Sequence, residues 1–515
     1  MKKIFLLFIF LSFVNETKAQ LSKIHYIPPI TTLEYDGGNN ASAKTGFGRE
    51  PGDQWIYIST PSETDVSYTI KIGGALGTTA DSGTVFTSGT VNNDFPKEIS
   101  RLKSIGVAGH MHGAVLLDDL NKPLRPCILW NDTRSYKEAQ SLDSLPNVRD
   151  VSGNIVFPGF TAPKLMWVKN NEPDLFQKIK TVVLPAGYLN TWLIGAPFAD
   201  MSDSAGTSWL DVKSRKWSEH LIVSSDMQID QMPELVEGNQ IAGKIQGDLA
   251  SELGFPNEVM IVGGAGDNAA AACGVGAIQE GEGLVSLGTS GVLLISRDRC
   301  KPFPDAAVHT FCHAIPEKWY QMGVILSATD SINWLSQISG KTALELDQLL
   351  PNEPTGPANE KFFPYLSGER TPLNDAHIRA GFAGLGQTSD LEKLTQCVME
   401  GVAFALRDCL EAIKKTDTSP SSLLATGGGS ASQFWLQTIS NTLNIEIEKP
   451  KTGEFGAALG AARLAITAII KEPIEKIMTK PEIERKIMPN QKYVNLYQTA
   501  YEIYKKGHVN LRGLQ

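Results

Sequence analysis

Asp267 and Asn268 stand in the stretch IVGGAGDNAAAACGVG, Ile261 to Gly276, where almost every other residue is glycine, alanine or aliphatic. A lone carboxylate in that setting points to proton transfer. Phosphoryl transfer to a hydroxyl needs a base at the attacking oxygen and a cradle for the phosphates. A carboxylate at a strand end, beside a glycine turn, meets both needs. The same residue could instead cap the helix expected from about Ala269, and the residues alone leave both readings open. Two more glycine loops, SLGTSG and TGGGSAS, follow apolar strands as GGAGDN does. Glycine allows backbone to approach a ligand and to take positive φ, and N–H groups in such turns form anion-binding concavities. Three loops of this kind predict a phosphate-bearing ligand.

His110-Met111-His112, in GVAGHMHGAV, suggests other chemistry. H-x-H at a strand end can bind zinc, as in metal-dependent amidohydrolases. The remaining ligands should then follow as His, His and finally Asp, yet Asp267 precedes His309 and His313. The other reading of His112 is a polar side chain lining a sugar pocket, and no metal site is predicted. Common nucleotide and nucleophile motifs fail. Gly340-Lys341-Thr342 has Leu335 where a P-loop needs its first glycine, and LGTSGV lacks the spacing of a nucleophile elbow.

These residues need strands to end at them and helices to start behind them. From about Asp94 the pattern is α/β. DFPKEISRLK predicts a short helix capped by Asp94, with Pro96 in its first turn. SIGVAG, AVLLDD and CILWND predict strands, with NKPLRP as a turn between the last two. TVVLPAGYLNTWLIG predicts a strand and then a helix, and NEVMIVGGAGDNAAAACGVGAI a buried strand, a glycine turn and an alanine-rich helix. GEGLVSLGTSGVLLIS reads as a hairpin around a glycine-rich tip. SDLEKLTQCVMEGVAFALRDCLEAIKK reads as a long amphipathic helix, and SSLLATGGGSASQFWLQTISNTLN as strand, loop, helix.

At 515 residues the chain exceeds one compact core, so two or more domains are expected. A hydrophobic content of 42% and charged content of 20% describe a soluble globular protein. The net charge of −9 argues against nucleic acid or an anionic membrane surface as partner. Residues 1–20, MKKIFLLFIFLSFVNETKAQ, have a basic start and an apolar run from Ile4 to Val14, too short to span a bilayer. They predict a secretory leader, with a buried N-terminal strand or helix as the alternative. The six cysteines have no C-x-x-C spacing and sit in apolar context, which predicts the buried free thiols of a cytoplasmic protein. Leader and body thus point to different compartments. Residues 21–93 are rich in Thr, Ser, Gly and Asn; QWIYIST, VSYTIKIGG and GTVFTSGT read as strands of a β-rich segment.

GVAGHMHGAVLLDD, LRPCILWNDTR, FPGFTAPKLMWVKNNEP, DMSDSAGTSWLDV, GGAGDNAAAACGVG, SLGTSGV, PYLSGERTPLND, TGGGSASQFW and GAALGAARLA occur in this order. With them the chain from about Asp94 onward resembles the FGGY family of carbohydrate kinases, and within it the bacterial xylulose kinases. GFTAPKLMWVKNN fits the family's first signature throughout; the later signature region fits less well, at Lys393 and Cys397. The resemblance implies two actin-like (ribonuclease H-like) α/β domains, 94–258 and 259–515, with a deep cleft between them. It implies a ketose, D-xylulose, at the cleft floor and ATP with Mg²⁺ entering from the second domain. Asp267 matches the catalytic base, with Asn268 beside it. Met111 and His112 match the pair that contacts the ketose, although His110 stands where most relatives have Gln. Trp130 and Asp132 are further candidates for the sugar pocket. Gly288 and Thr289 match the loop around the terminal phosphates, and Gly428, Gly429 and Ser432 the loop at the adenosine end. A homodimer is compatible with the resemblance.

Two departures stand out. The family begins with a strand and hairpin that carry an Asp before a glycine turn and grip phosphate and Mg²⁺ from the first domain. Residues 1–93 show no such pattern: in IKIGGALGTTADSGTVF, Asp81 falls after the turn. Ala186-Gly187 replace a usual Lys-Asp. Two functions are therefore carried forward, an ATP-dependent xylulose kinase weakened by loss of the hairpin, and a non-catalytic or chimeric remnant, exported or not, that keeps a sugar pocket.

Overall fold

Residues 8–13, 55–59, 68–71, 99–451 and 456–512 are described by the structure, a computed structural model. The helix capped by Asp94, the strand in GTVFTSGT and the glycine-rich stretch with Asp81 lie wholly or largely outside them.

A first seven-stranded sheet takes β1 (Phe8–Phe13), β2 (Trp55–Ser59), β3 (Tyr68–Lys71) and β4 (Leu102–Gly109). After β5 (Val115–Leu117), a separate short strand, come α1 (Thr161–Asn171), β6 (Thr181–Val183), α2 (Pro185–Ile194) and α3 (Met201–Ser204). The first sheet is completed by β7 (Ile241–Lys244), β8 (Met260–Val262) and β9 (Ala265–Gly266), and α4 (Asp267–Gly274) follows. Strand order is β7-β8-β4-β1-β2-β3, with β9 also pairing β4. The apolar run expected as the core of a leader supplies β1, which lies antiparallel along β4, with Phe8 opposite Ala108 and Phe13 opposite Leu102. The edge of β4 that a missing first strand would expose is therefore covered. QWIYIST and VSYTIKIGG supply β2 and β3. CILWND is not a strand: only isolated bridges form, Ala114 with Ile128 and Leu117 with Pro123. Pro123 and Pro126 have no N–H to continue a ladder.

The second seven-stranded sheet contains β10 (Gly283–Leu287), β11 (Gly291–Arg297), β12 (His309–Cys312) and β13 (Trp319–Ile325). Then come α5 (Thr329–Ser339), α6 (Leu391–Lys414), β14 (Ser422–Thr426), α7 (Gln433–Leu443) and β15 (Glu446–Pro450). The C-terminal elements are α8 (Ala457–Ile469), β16 (Ile483–Ile487) and α9 (Gln491–Arg512). Strand order is β12-β13-β11-β10-β14-β15-β16. An antiparallel trio (β13, β11, β10) thus leads into a parallel one (β10, β14, β15), the actin-like arrangement. Helix α6 places Val398, Val402, Leu406, Leu410 and Ile413 on one buried face against this sheet. Each such side chain contributes about 1.5–3 kcal/mol of hydrophobic stabilisation.

One contact matters most for the site. Helix α8 crosses α4 so closely that a Cβ on Gly460 would lie 1.8 Å from the Ala270 carbonyl oxygen. Only glycine allows two helix backbones to meet this way. Arg463 then donates to the Cys273 and Gly274 carbonyls at 3.0 and 2.8 Å, satisfying the C-terminal end of α4. From the other side of α8, Ala465 accepts from the Ser104 hydroxyl of β4 at 3.0 Å. A helix from the chain's C-terminal part thus holds the Asp267 helix against the first sheet. All six cysteines are free, as their settings suggested. Among the described residues no helix is long and apolar enough to cross a membrane.

Candidate active site

Strands β4 and β9 run parallel, with Ala265 opposite Ala108 and Gly266 opposite Gly109. The chain therefore leaves the same end of the sheet at two adjacent points, into His110-Met111-His112 and into Asp267. The N-cap of α4 is Gly266, and no side chain caps it. Asp267 is the first residue of the helix and not its N-cap. Its Oδ1 instead accepts from the Asn268 backbone N–H at 2.7 Å and from Asn268 Nδ2 at 2.9 Å, and no hydrogen bond is found for Oδ2 among the described residues. Gly266 N–H donates to Ser202 Oγ at 3.0 Å, and Ser202 lies in α3, whose N-cap is Asp200. Motif GGAGDN is thus anchored to motif DMSDSAGT.

Met111 is buried at 3% exposure, and Tyr320 of the second sheet donates its hydroxyl to Met111 Sδ at 3.5 Å. His112 has φ 70°, in the left-handed region. Its Nδ1 lies 2.7 Å from the Gly206 carbonyl oxygen, and its ring stacks on Phe160 at 4.3 Å. A carbonyl only accepts, so Nδ1 carries the proton and Nε2 keeps a lone pair. Burial drives the ring down to about 3, so it is neutral at physiological pH.

Three carboxyls gather here. Burial raises Asp267 to about 6, against the two bonds from Asn268 that lower it. Asp200 is raised to about 6, by burial first. Asp203, on the same short helix, is raised well above the usual range by burial and by the Asp200 and Asp267 charges. Its buried Oδ1 finds no partner among the described residues. Like charges this close do not all ionise. The neighbouring Asp200 and Asp267 charges, with burial, favour the protonated form of Asp203.

The two rim candidates behave differently. Trp130 is 48% exposed, and its carbonyl sits against Gly159, where a Cβ would approach to 2.2 Å. The Asp132 carboxylate is engaged by Arg134, Nε to Oδ1 at 2.9 Å and Nη2 to Oδ2 at 2.6 Å. That pair holds Asp132 below the usual carboxylate range. His309 and His313 do not join His110 and His112 as a ligand set. His309 Nδ1 lies 3.3 Å from Asn154 Oδ1, while His313 Nδ1 accepts from Ile315 N–H at 3.2 Å. Among the described residues no group of three or more His, Cys, Asp or Glu is disposed to hold a metal ion.

In the second half, Gly288, Thr289 and Ser290 form the tip between β10 and β11. The N-terminus of α5 fixes this tip: Thr329 N–H and Oγ1 donate to the Gly288 carbonyl at 2.9 and 2.8 Å, and Ala328 N–H to that of Thr289 at 2.8 Å. The loop after β14 packs against it. Gly427 has φ 81°, and a Cβ there would lie 2.7 Å from the Leu287 carbonyl. Gly428 and Gly429 follow, and Ser432 Oγ caps α7 by accepting from Trp435 N–H at 3.1 Å. Ser432 also donates to Asp347 Oδ1. A cavity opens here, lined by Gly428, Gly429 and Ser432 with Thr329, Asn333 and Asp347. The sequence reading reached the three loop residues and missed the other three. Asp203 was also missed, although it lies inside a quoted motif.

Residues 90–274 match the FGGY family of carbohydrate kinases, N-terminal domain, and residues 283–469 match its C-terminal domain. A xylulose kinase from Escherichia coli (strain K12) is 39% identical over 410 residues, which cover 79% of this chain and 84% of that protein. Among solved structures, a xyloylose kinase from Brucella ovis is similar with a TM-score of 0.81 and 50% identity, over 83% of this chain and 88% of that one. A xylulose kinase from Rhodospirillum rubrum shares the fold, with a TM-score of 0.80 at 22% identity over 89% and 96% of the two chains.

Proposed function

Starting from a chain that belongs to the FGGY family of carbohydrate kinases, and is therefore a phosphotransferase, we propose that it phosphorylates D-xylulose to D-xylulose 5-phosphate at the expense of ATP. The observation that carries this reading is the adjacency of Asp267 and the Met111-His112 pair at one sheet end, on a chain whose named relatives are xylulose kinases. His112 Nε2 accepts a hydroxyl hydrogen of the ketose, and Met111 forms the apolar floor beside it. Asp267 Oδ2 takes the proton from the attacking hydroxyl, while Asn268 holds Oδ1 and so fixes the carboxylate plane. Trp130 closes the rim.

The second-half loops fit a nucleotide: the φ 81° glycine lets the loop after β14 pack directly on the end of β10, and a cavity opens beside Ser432. Gly288 and Thr289 would hold the terminal phosphates, and Gly428, Gly429 and Ser432 the adenosine end. Bound ATP with Mg²⁺ supplies the phosphoryl group and the positive charge that screens it.

The test is ATP-dependent ADP release with D-xylulose, against D-ribulose, gluconate and glycerol. Release with xylulose at the lowest KM is expected; xylulose that neither binds nor turns over sinks the reading. Turnover is expected to fall below an ordinary kinase rate of roughly 1–100 per second, because phosphate and Mg²⁺ need ligands from both sides of the cleft. A second reading, a remnant that binds sugar without turnover, draws on the direction of β1, which is opposite to that of β4. Xylulose binding without ADP release would select it.

A further inference from the structure

Lys164, on α1, is completely buried at 0% exposure. No carboxylate pairs with it among the described residues; its Nζ donates to the His112 carbonyl at 2.8 Å and to the Gly159 carbonyl at 2.6 Å. An ammonium without a counter-ion in the interior is costly. Its place in the first turns of a helix adds to the cost, since the positive end of the helix dipole lies there. Burial accordingly lowers this amine to about 7. Even the neutral amine keeps two N–H groups, one for each carbonyl. A residue this poorly suited to its surroundings on electrostatic grounds is placed for what it holds.

What it holds is the loop after β4. His112 is a non-glycine residue at φ 70°, a conformation that is unfavourable for an L side chain and persists only where its surroundings impose it. Thr161 Oγ1 also donates to the His112 carbonyl, at 3.1 Å. Phe160 stacks on the ring at 4.3 Å. The segment 159–164 therefore grips His112 three times, twice at its carbonyl and once at its ring. The remaining grip, Nδ1 to the Gly206 carbonyl, comes from elsewhere.

We infer that Lys164 is a positioning residue for the ketose site: by tying the carbonyls of His112 and Gly159 together, it fixes the backbone turn that aims His112 Nε2 into the pocket. Lys164 touches neither phosphate nor sugar in this account. The inference rests on the reading of His112 as a ketose ligand, and its test separates the two.

The measurement is ¹⁵N spectroscopy of the histidine rings in the full chain, with the His112 signal assigned by its loss in His112→Gln. Alongside it, D-xylulose and ADP affinities are measured by calorimetry. Wild-type protein should show His112 with its proton on Nδ1. In Lys164→Met, which keeps length and loses the donors, that signal should shift or average between tautomers. Xylulose affinity should fall on the order of tenfold to a hundredfold, the scale of a misplaced ligand group, with ADP affinity unchanged. Where Lys164→Met does not yield folded protein, Thr161→Val removes one donor from the same carbonyl and should give the same changes at smaller size. An unchanged His112 signal, with only the melting temperature lowered, overturns the inference. A His112 signal that responds in a protein that binds no xylulose upholds the positioning role and sinks the functional reading instead.

Discussion

The two sheets end differently at the ligand side. In the second sheet, β10 runs parallel to β14, so the β10–β11 tip and the loop after β14 emerge at the same end and pack together. In the first sheet, β4 and β9 end together in the same manner, at His112 and Asp267. Strand β1, which borders β4 as β10 borders β14, runs the other way. Its last residue, Phe13, pairs with Leu102 at the far end of β4, so β1 ends at the opposite side of the sheet. Among the described residues the first half therefore has no hairpin to set against Gly288–Ser290. Filling a sheet edge and presenting a functional turn are separate tasks: the first needs only a run of β-forming residues, whereas the second needs strand direction as well.

The largest effect should come from reversing that difference. Replacing residues 1–93 with a family-type strand and hairpin, an Asp before a glycine turn, should raise xylulose-dependent turnover by orders of magnitude. Should the untouched chain turn over at an ordinary rate of about 1–100 per second, the hairpin's task is done elsewhere before Asp94. Next in size is Asp267→Asn, which keeps shape and removes the proton acceptor. A loss on the order of a hundredfold or more in kcat is expected, the usual worth of a general base. Full turnover in the hairpin-restored protein carrying Asp267→Asn would refute the assignment.

The two sites can then be separated by KM. His112→Ala removes the acceptor at the end of β4 and should raise the KM for xylulose about tenfold, the equivalent of roughly 1.4 kcal/mol, leaving that for ATP unchanged. Gly427→Val forces a branched residue to φ 81° against the Leu287 carbonyl, and should do the reverse on a similar scale. If either change moves both constants equally, sugar and nucleotide do not occupy the two regions separately.

Much of this was legible locally. The hairpin around SLGTSG, the strand-loop-helix of TGGGSAS and the long helix behind Asp390 each have their pattern within one short window, and the structure has them there. Asp267 could be singled out because nothing near it in sequence competes for its role. Lys164 could not, since the carbonyls it serves belong to His112 and Gly159 and only the fold brings them to one nitrogen. Asp203 is one acidic residue among many until Asp200 and Asp267 are beside it. Arg463 looks like an ordinary charge on a helix, yet it closes the end of α4 from 189 residues away. CILWND misled because its β-forming residues follow two prolines, which limit pairing to single bridges.

The smallest effect expected is a pH limb. Asp267 sits at about 6 in the folded protein against a reference of 3.8. A folded-state value above the unfolded one means the native protein binds more protons between these two limits, so this group makes stability fall as pH rises from about 4 to about 6. Catalysis runs the opposite way, since only the carboxylate can accept the hydroxyl proton. log kcat/KM for xylulose should therefore rise with unit slope and level off above about pH 6. His112 lies too low, at about 3, to contribute a limb in this range. Burial is the cause that raises Asp267, so Asp203→Asn, which keeps the side chain's shape, should leave the limb in place. A wild-type limb at about 4 would mean that Asp267 is as solvated as a surface carboxylate. The enclosure of the first-sheet end, which distinguishes it from the open tip at Gly288–Ser290, would then be wrong.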